Sequence, residues 1–243
     1  MIGMGVYLIH EKTKPFLENS VLGFNNYVKY SHYMKKIKKA AFADLDKRFR
    51  TYFINSLSGF KSVNLIGTKS EKTGLNLSIV SSVIHLGANP ALMGFIMRPV
   101  SVPRHTYENI IKTGSYTFNH ILPKFYKQAH QTSARYPEGI SEFDAVGLTP
   151  EFSEDFHAPY VLESRIKIGM NFLEEVPIKL NDTILMIGEI AEVIYPEDCQ
   201  LEDGFLDLGK AETVTCSGLD GYHTTGKLER LSYAKPDRPM EEI

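Results

Sequence analysis

The 243-residue chain predicts a mainly β fold with flanking helices. Three observations carry that prediction. Residues 62–68 and 75–83 alternate along the chain with the period of two that a strand imposes. Residues 161–172 and 183–195 are two longer strand candidates on either side of Asn181-Asp182, a turn pair that predicts an antiparallel hairpin. Helical stretches are few and irregularly spaced, so the regular strand–helix alternation of a doubly wound sheet is missing. An antiparallel barrel or sheet with helices packed outside fits this pattern.

Taken in order, residues 1–33 mix aromatics, Asn and Lys without a clean period. We expect residues 1–40 to form a poorly ordered basic extension, and residues 41–243 to form one domain without a linker. Residues 35–50 place Lys35, Lys36, Lys38 and Lys39 in five positions. Such a run reads either as a nucleic-acid or membrane patch or as a solvated segment beside a short helix; the second reading is adopted. In 62–68, Val63 and Leu65 share a face. Residues 69–74 (KSEKTG) form a polar turn. In the next strand Leu75, Leu77 and Ile79 take one face, while Asn76, Ser78, Val80 and Ser82 take the other. Asn89-Pro90 marks a turn, and the unbroken apolar run 92–97 predicts a strand buried on both sides. Residues 106–113 read as a short helix with Thr106 as N-cap, Glu108 at its positive end and Gly114 as its stop. A strand over 116–120 follows, then helices over 123–133 and 141–145, the second ended by Gly147. Pro150 and Pro159 predict a loop over 149–160. The polar tail 235–243 is expected at the surface.

Charge narrows the function classes. There are 27 basic and 29 acidic residues, a net of −2, and residues 1–60 carry 10 basic against 4 acidic. The remainder is mildly acidic, which argues against a nucleic-acid partner. No apolar run approaches the ~20 residues that span a bilayer, so no membrane partner is expected. Cys199 and Cys216 are too few for a disulfide framework and lack C-x-x-C spacing; free thiols in a reducing, cytoplasmic setting are expected. Gly3-x-Gly5 does not extend to a dinucleotide fingerprint, and no P-loop, H-E-x-x-H or G-x-S-x-G occurs. No metal site is expected among the eight scattered histidines.

The informative block is 66–120. Asn76, Ser78 and Ser82 project from one strand face and Ser81 lies at its end, a row suited to a planar polar heterocycle. Asn can donate and accept at a ring edge, and Ser can serve a phosphate. Arg98 directly follows a buried strand, where a guanidinium can grip a phosphate. His105 and Thr106 precede a helix start whose free N–H groups form an anion site.

This block resembles the flavin reductase-like family with the FMN-binding split-barrel fold. The resemblance is carried by Gly67-Thr68, Gly74-Leu75-Asn76, Ser78 to Ser82, Pro90, Arg98, His105-Thr106, Ile110 and Phe118-Asn119. Glu142-Phe143 with Gly147-Leu148, the stretch 158–163 and Gly218 to Tyr222 continue it, so that it spans roughly residues 55–235. It implies a six-stranded split barrel, a homodimer, and FMN bound near the dimer interface. By position, Asn76 and Ser78 would touch the isoalloxazine or ribityl chain. Ser81, Ser82, Arg98, His105 and Thr106 would hold the phosphate end. Tyr222 and His223 would line the nicotinamide or substrate side. The implied activity is hydride transfer from NADH or NADPH to flavin or another small-molecule acceptor. The cofactor performs that step, so no catalytic side chain is expected. The alternative is an FMN-binding electron carrier without its own NAD(P)H turnover.

Overall fold

The computed structural model describes residues 34–137 and 139–243. The extension expected over 1–40 lies outside the described residues as far as residue 33. The chain divides into two compact units, one ending at Arg50 and the other running from Thr51 to Ile243. In the first, a single 3-10 turn occupies Lys39–Phe42. Helix α1 (Lys47–Ser56) starts where the Asp46 carboxylate accepts the Phe49 amide at 2.9 Å, the usual way an acidic residue satisfies a free helix N–H.

The second unit is built on strands. In chain order they are β1 (Lys61–Ser62), β2 (Asn64–Ser70), β3 (Gly74–Val80), β4 (Ile84–Ala88) and β5 (Ala91–Met97). Helix α2 (His105–Thr113), β6 (Ser115–His120), α3 (Tyr126–Gln131) and α4 (Glu142–Val146) follow. Then come β7 (Pro150–Glu151), β8 (Tyr160–Val161), β9 (Lys167–Ile178), β10 (Thr183–Ile194), β11 (Val214–Ser217) and β12 (Gly221–Thr224). The main sheet has seven strands in the order β3-β2-β6-β9-β10-β5-β4, and every pairing is antiparallel. Its two edge strands, β3 and β4, are consecutive in the chain and joined only by residues 81–83. A flat sheet would hold those edges far apart, so this one curls until they meet at a corner. A smaller sheet, β1-β11-β12, and the pair β7-β8 complete the described strands.

Two apolar clusters fix this shape. One holds Phe95, Tyr116 and Phe118 in mutual edge-to-face contact, with ring centroids 5.3 to 5.8 Å apart, packed with Ile110, Met170 and Met186. The other joins Leu65, Leu77, Ile121, Phe125 and Phe143, with Leu75 and Ile79 against it. The predicted faces of β3 are therefore correct. β2 lies between β3 and β6 and is buried on both faces. At Gly67 a Cβ would run into the Pro159 carbonyl oxygen, which accepts the Thr117 hydroxyl at 2.7 Å. Only glycine lets that segment pass so close.

Several expectations are corrected. The sheet has seven strands rather than six. The strand expected from 161 begins at Lys167, because the Ser164 amide turns back onto the Val161 carbonyl and ends β8 first. The loop expected over 149–160 contains β7, whose Pro150 sits on a two-stranded ladder that tolerates a missing donor. The run 92–97 is only partly buried on one face. The helix expected over 123–133 is confined to Tyr126–Gln131. Arg104, not Thr106, occupies the N-cap of α2; the Thr106 hydroxyl is taken up by residues of β3.

Candidate functional site

The β2–β3 hairpin places Thr68 directly opposite Asn76, with Ser78 one repeat further along the same face. Helix α2 packs over that face and lowers Thr106 and Asn109, three residues apart and hence on one side of the helix, onto it. Asn76 Nδ2 donates to Thr106 Oγ1 at 2.9 Å and to Thr68 Oγ1 at 3.2 Å. Ser78 Oγ and Thr106 Oγ1 are 2.9 Å apart. Asn109 Nδ2 donates to Thr68 Oγ1 at 3.1 Å, and Asn109 Oδ1 accepts the Thr73 hydroxyl at 2.8 Å. Thr68, Asn76, Thr106 and Asn109 are all buried, while Ser78 is half-buried. Ser78 is thus the side of the network that solvent reaches.

The start of α2 is electropositive. Arg104 makes no side-chain capping bond there, and its Nε donates to the Pro99 carbonyl at 2.8 Å. Burial, then the nearby guanidiniums of Arg98 and Arg135, push the Arg104 pKa down. Among the described residues no carboxylate pairs with any of these three arginines. His105, half-buried, is the first residue of the helix. Like charges that repel one another beside free helix N–H groups could attract an anion.

The remaining predicted residues lie apart from this cluster. Ser82 Oγ accepts the Ile96 amide at 3.0 Å and donates to the Ile96 carbonyl at 3.4 Å, which ties the β3–β4 corner to β5. Ser81 hydrogen-bonds the buried Cys216 thiol, whose pKa is raised by its burial. Cys216 faces Tyr222 across the β11–β12 pair. Tyr222 packs against the cluster beneath Leu77, and its hydroxyl meets His130 Nδ1 at 2.9 Å. Burial pushes the Tyr222 pKa up to about 12. His223 Nε2 bonds Ser217 Oγ at 2.9 Å, and its ring packs edge-on against Phe60 at 4.9 Å.

The structure therefore gathers Asn76, Ser78 and Thr106, with His105 and Arg98 near the same helix end. Ser81 and Ser82 lie at the corner, and Tyr222 and His223 stand on the side of the opposite apolar cluster. Sequence reasoning missed Arg104, Arg135, Thr68 and Asn109. Arg104 adjoins His105 and Asn109 follows Thr106 by one turn, so both were within reach of helical spacing; Arg135 carries no local signal. Among the described residues no group of three or more His, Cys, Asp or Glu could hold a metal ion.

Comparisons with known proteins bear on the family and the fold. The flavin reductase like domain model matches residues 60–231. A candidate flavin reductase with split barrel domain from Shewanella frigidimarina NCIMB 400 is 54% identical, with a TM-score of 0.80 over 83% of this chain and 100% of that one. Nitrilotriacetate monooxygenase component B from Bacillus cereus, at 19% identity, has a TM-score of 0.71 over 82% of this chain and 98% of its own. Flavoredoxin of Desulfovibrio vulgaris (Miyazaki F), at 22% identity, has a TM-score of 0.64 over 84% and 97%. These last two share the fold. A protein of Aquifex aeolicus (strain VF5) is 27% identical over 100 residues, 41% of this chain and half the length of that relative. The matched span takes in β3, α2 and the corner between the sheet edges, and on that span the chain belongs to the flavin reductase like domain family.

Proposed function

We propose that the protein is an FMN-dependent oxidoreductase that moves hydride from NADH or NADPH to flavin or another small acceptor. The observation that carries the reading is the unpaired arginine group at the start of α2 beside the amide and hydroxyl face of β3. That donor set fits a phosphorylated flavin. Arg98, Arg104 and Arg135, with the first amides of α2 at His105 and Thr106, would hold the phosphate; Asn76 and Ser78 would meet the ring or the ribityl chain.

When bound, the flavin supplies the hydride-accepting and electron-passing chemistry. The residues of this chain do the rest. Guanidiniums and helix amides would neutralise the phosphate and fix one end of the ligand. Asn76 and Ser78, anchored in a buried network, would orient the other end without reorganising. Ser81 and Ser82 act on the pocket through the shape of the corner. Tyr222 and His223 would face the nicotinamide or acceptor. A second copy of the chain completes the assembly in this reading, against the sheet face that exposes Ile84, Leu86 and Val176. A cytoplasmic setting follows the same reading, with no nucleic-acid or membrane partner.

The test is a visible spectrum of the purified protein followed by a turnover assay. Oxidised flavin bands near ~375 and ~450 nm, with NADH or NADPH consumed on mixing, are the expected result. Protein that takes up no FMN would overturn the reading. Uptake without consumption of either nicotinamide would leave an electron carrier fed by a partner.

A further inference from the structure

We infer that Thr68 is a positioning residue: it turns the Asn76 carboxamide so that its carbonyl oxygen, not its NH2 group, is offered to the ligand. The inference rests on the flavin reading above and deepens it. Thr68 is fully buried on β2. A hydroxyl has two lone pairs and one proton, and both lone pairs of Thr68 Oγ1 are filled, by Asn109 Nδ2 and by Asn76 Nδ2. The Asn109 amide is oriented from its other side, since its Oδ1 accepts the Thr73 hydroxyl, which Ser70 supports at 2.8 Å.

The proton count then runs outward. Asn76 spends both amide protons inward, on Thr68 and on Thr106. Among the described residues no donor reaches Asn76 Oδ1. The Ser78–Thr106 bond uses one of that pair's two hydroxyl protons, so one O–H remains to donate. The β3 face thus presents a fixed acceptor, Asn76 Oδ1, beside a spare hydroxyl donor. That pair complements a flavin group carrying N–H or O–H next to an acceptor oxygen. Removing the hydroxyl of Thr68 leaves the carboxamide held by Thr106 alone and loosens this pattern, although Thr68 itself is fully buried.

The experiment compares Thr68→Val, Thr68→Ser and Thr73→Val with the wild-type chain. FMN binding is titrated by flavin fluorescence, and hydrogen exchange of the Asn76 side-chain NH2 is followed by NMR in the flavin-free protein. Thr73→Val removes the hydroxyl bonds to Asn109 and Ser70, leaves the Asn76 bonds in place, and controls for loss of network stability. We expect Thr68→Val to weaken FMN binding about tenfold, roughly one hydrogen bond's worth. Thr68→Ser and Thr73→Val should stay within about threefold of wild type on the same scale. Asn76 NH2 exchange should be slow in wild type and Thr68→Ser and fast in Thr68→Val. Equal FMN affinity in Thr68→Val and wild type, or equal losses in Thr68→Val and Thr73→Val, overturns the proposal. If Thr68→Val does not fold, the wild-type spectrum decides: protection of only one of the two Asn76 NH2 protons, or of neither, overturns it, and protection of both supports it. Wild-type protein that binds no FMN defeats the flavin reading, and the exchange arm still decides the role of Thr68.

Discussion

The two faces of β3 are built on opposite terms. Leu75, Leu77 and Ile79 look into an apolar cluster, where Leu77 is fully buried and the gain is area removed from water. Asn76 and Ser78, alternating with them, look into a chain of hydroxyls and amides in which every buried group needs a named partner. The first face tolerates exchange of one hydrocarbon for another of similar volume. The second is intolerant in a different way, because removing one member leaves a buried donor or acceptor unpaired. One strand thus separates an apolar face from a hydrogen-bonded one, three to four ångströms of chain apart per residue.

Substitutions can break that division, beginning with the largest effect. Leu77→Ala should cost about 3 kcal/mol of unfolding free energy, the usual range for a buried Leu truncated in place. Chemical denaturation measures it, and FMN affinity of the folded fraction should change little. Asn76→Leu should do the reverse, weakening FMN about 50-fold, on the order of 2 kcal/mol, with a smaller loss of stability; comparable losses of stability at both positions would erase the distinction between the faces.

His120, at the end of β6, tests a half-buried polar group outside both faces. Its ring has one side-chain partner, Thr213 Oγ1 at 3.0 Å, and burial pushes its pKa down to about 4. The unfolded chain binds a proton near pH 6.5 that the folded one refuses until about pH 4. Stability is therefore full above pH 6.5 and falls as the pH drops toward 4, by about 2 kcal/mol at pH 5. Denaturation curves at pH 8 and pH 5 measure it, and His120→Gln should flatten the difference. Arg104→Ala is the smallest effect: FMN binding should weaken about tenfold and riboflavin binding not at all, because only one ligand carries the phosphate. Equal losses for both ligands would remove Arg104 from the anion site.

How much of this was legible follows the range of the forces involved. The faces of β3 could be read because a period of two is local, and so could the Asn181-Asp182 hairpin, where Asp182 has a φ of 59°. The reading failed where periodicity stops. Ser81 and Ser82 take their expected ligand role from the resemblance; β3 ends at Val80, and the Ser82 hydroxyl there meets Ile96. Thr106 suits a cap because Thr is a good one; buried Asn76 on β3, beneath α2, claims its hydroxyl. β7 and β8 are two residues each and exist through a pairing that no local pattern encodes. Arg135 comes near Arg104 from a segment 31 residues downstream whose own composition gives no signal.

The corner at residues 81–83 has a mechanical meaning. Because the sheet's first and last strands are stitched together by so short a stretch of covalent chain, the wall cannot slide in register or uncurl without straining that stitch. Lengthening it with inserted glycines would act as a slackened hoop, letting the staves part at the place where Ser82 now ties them. The circumference of the vessel is in this sense written in a tripeptide.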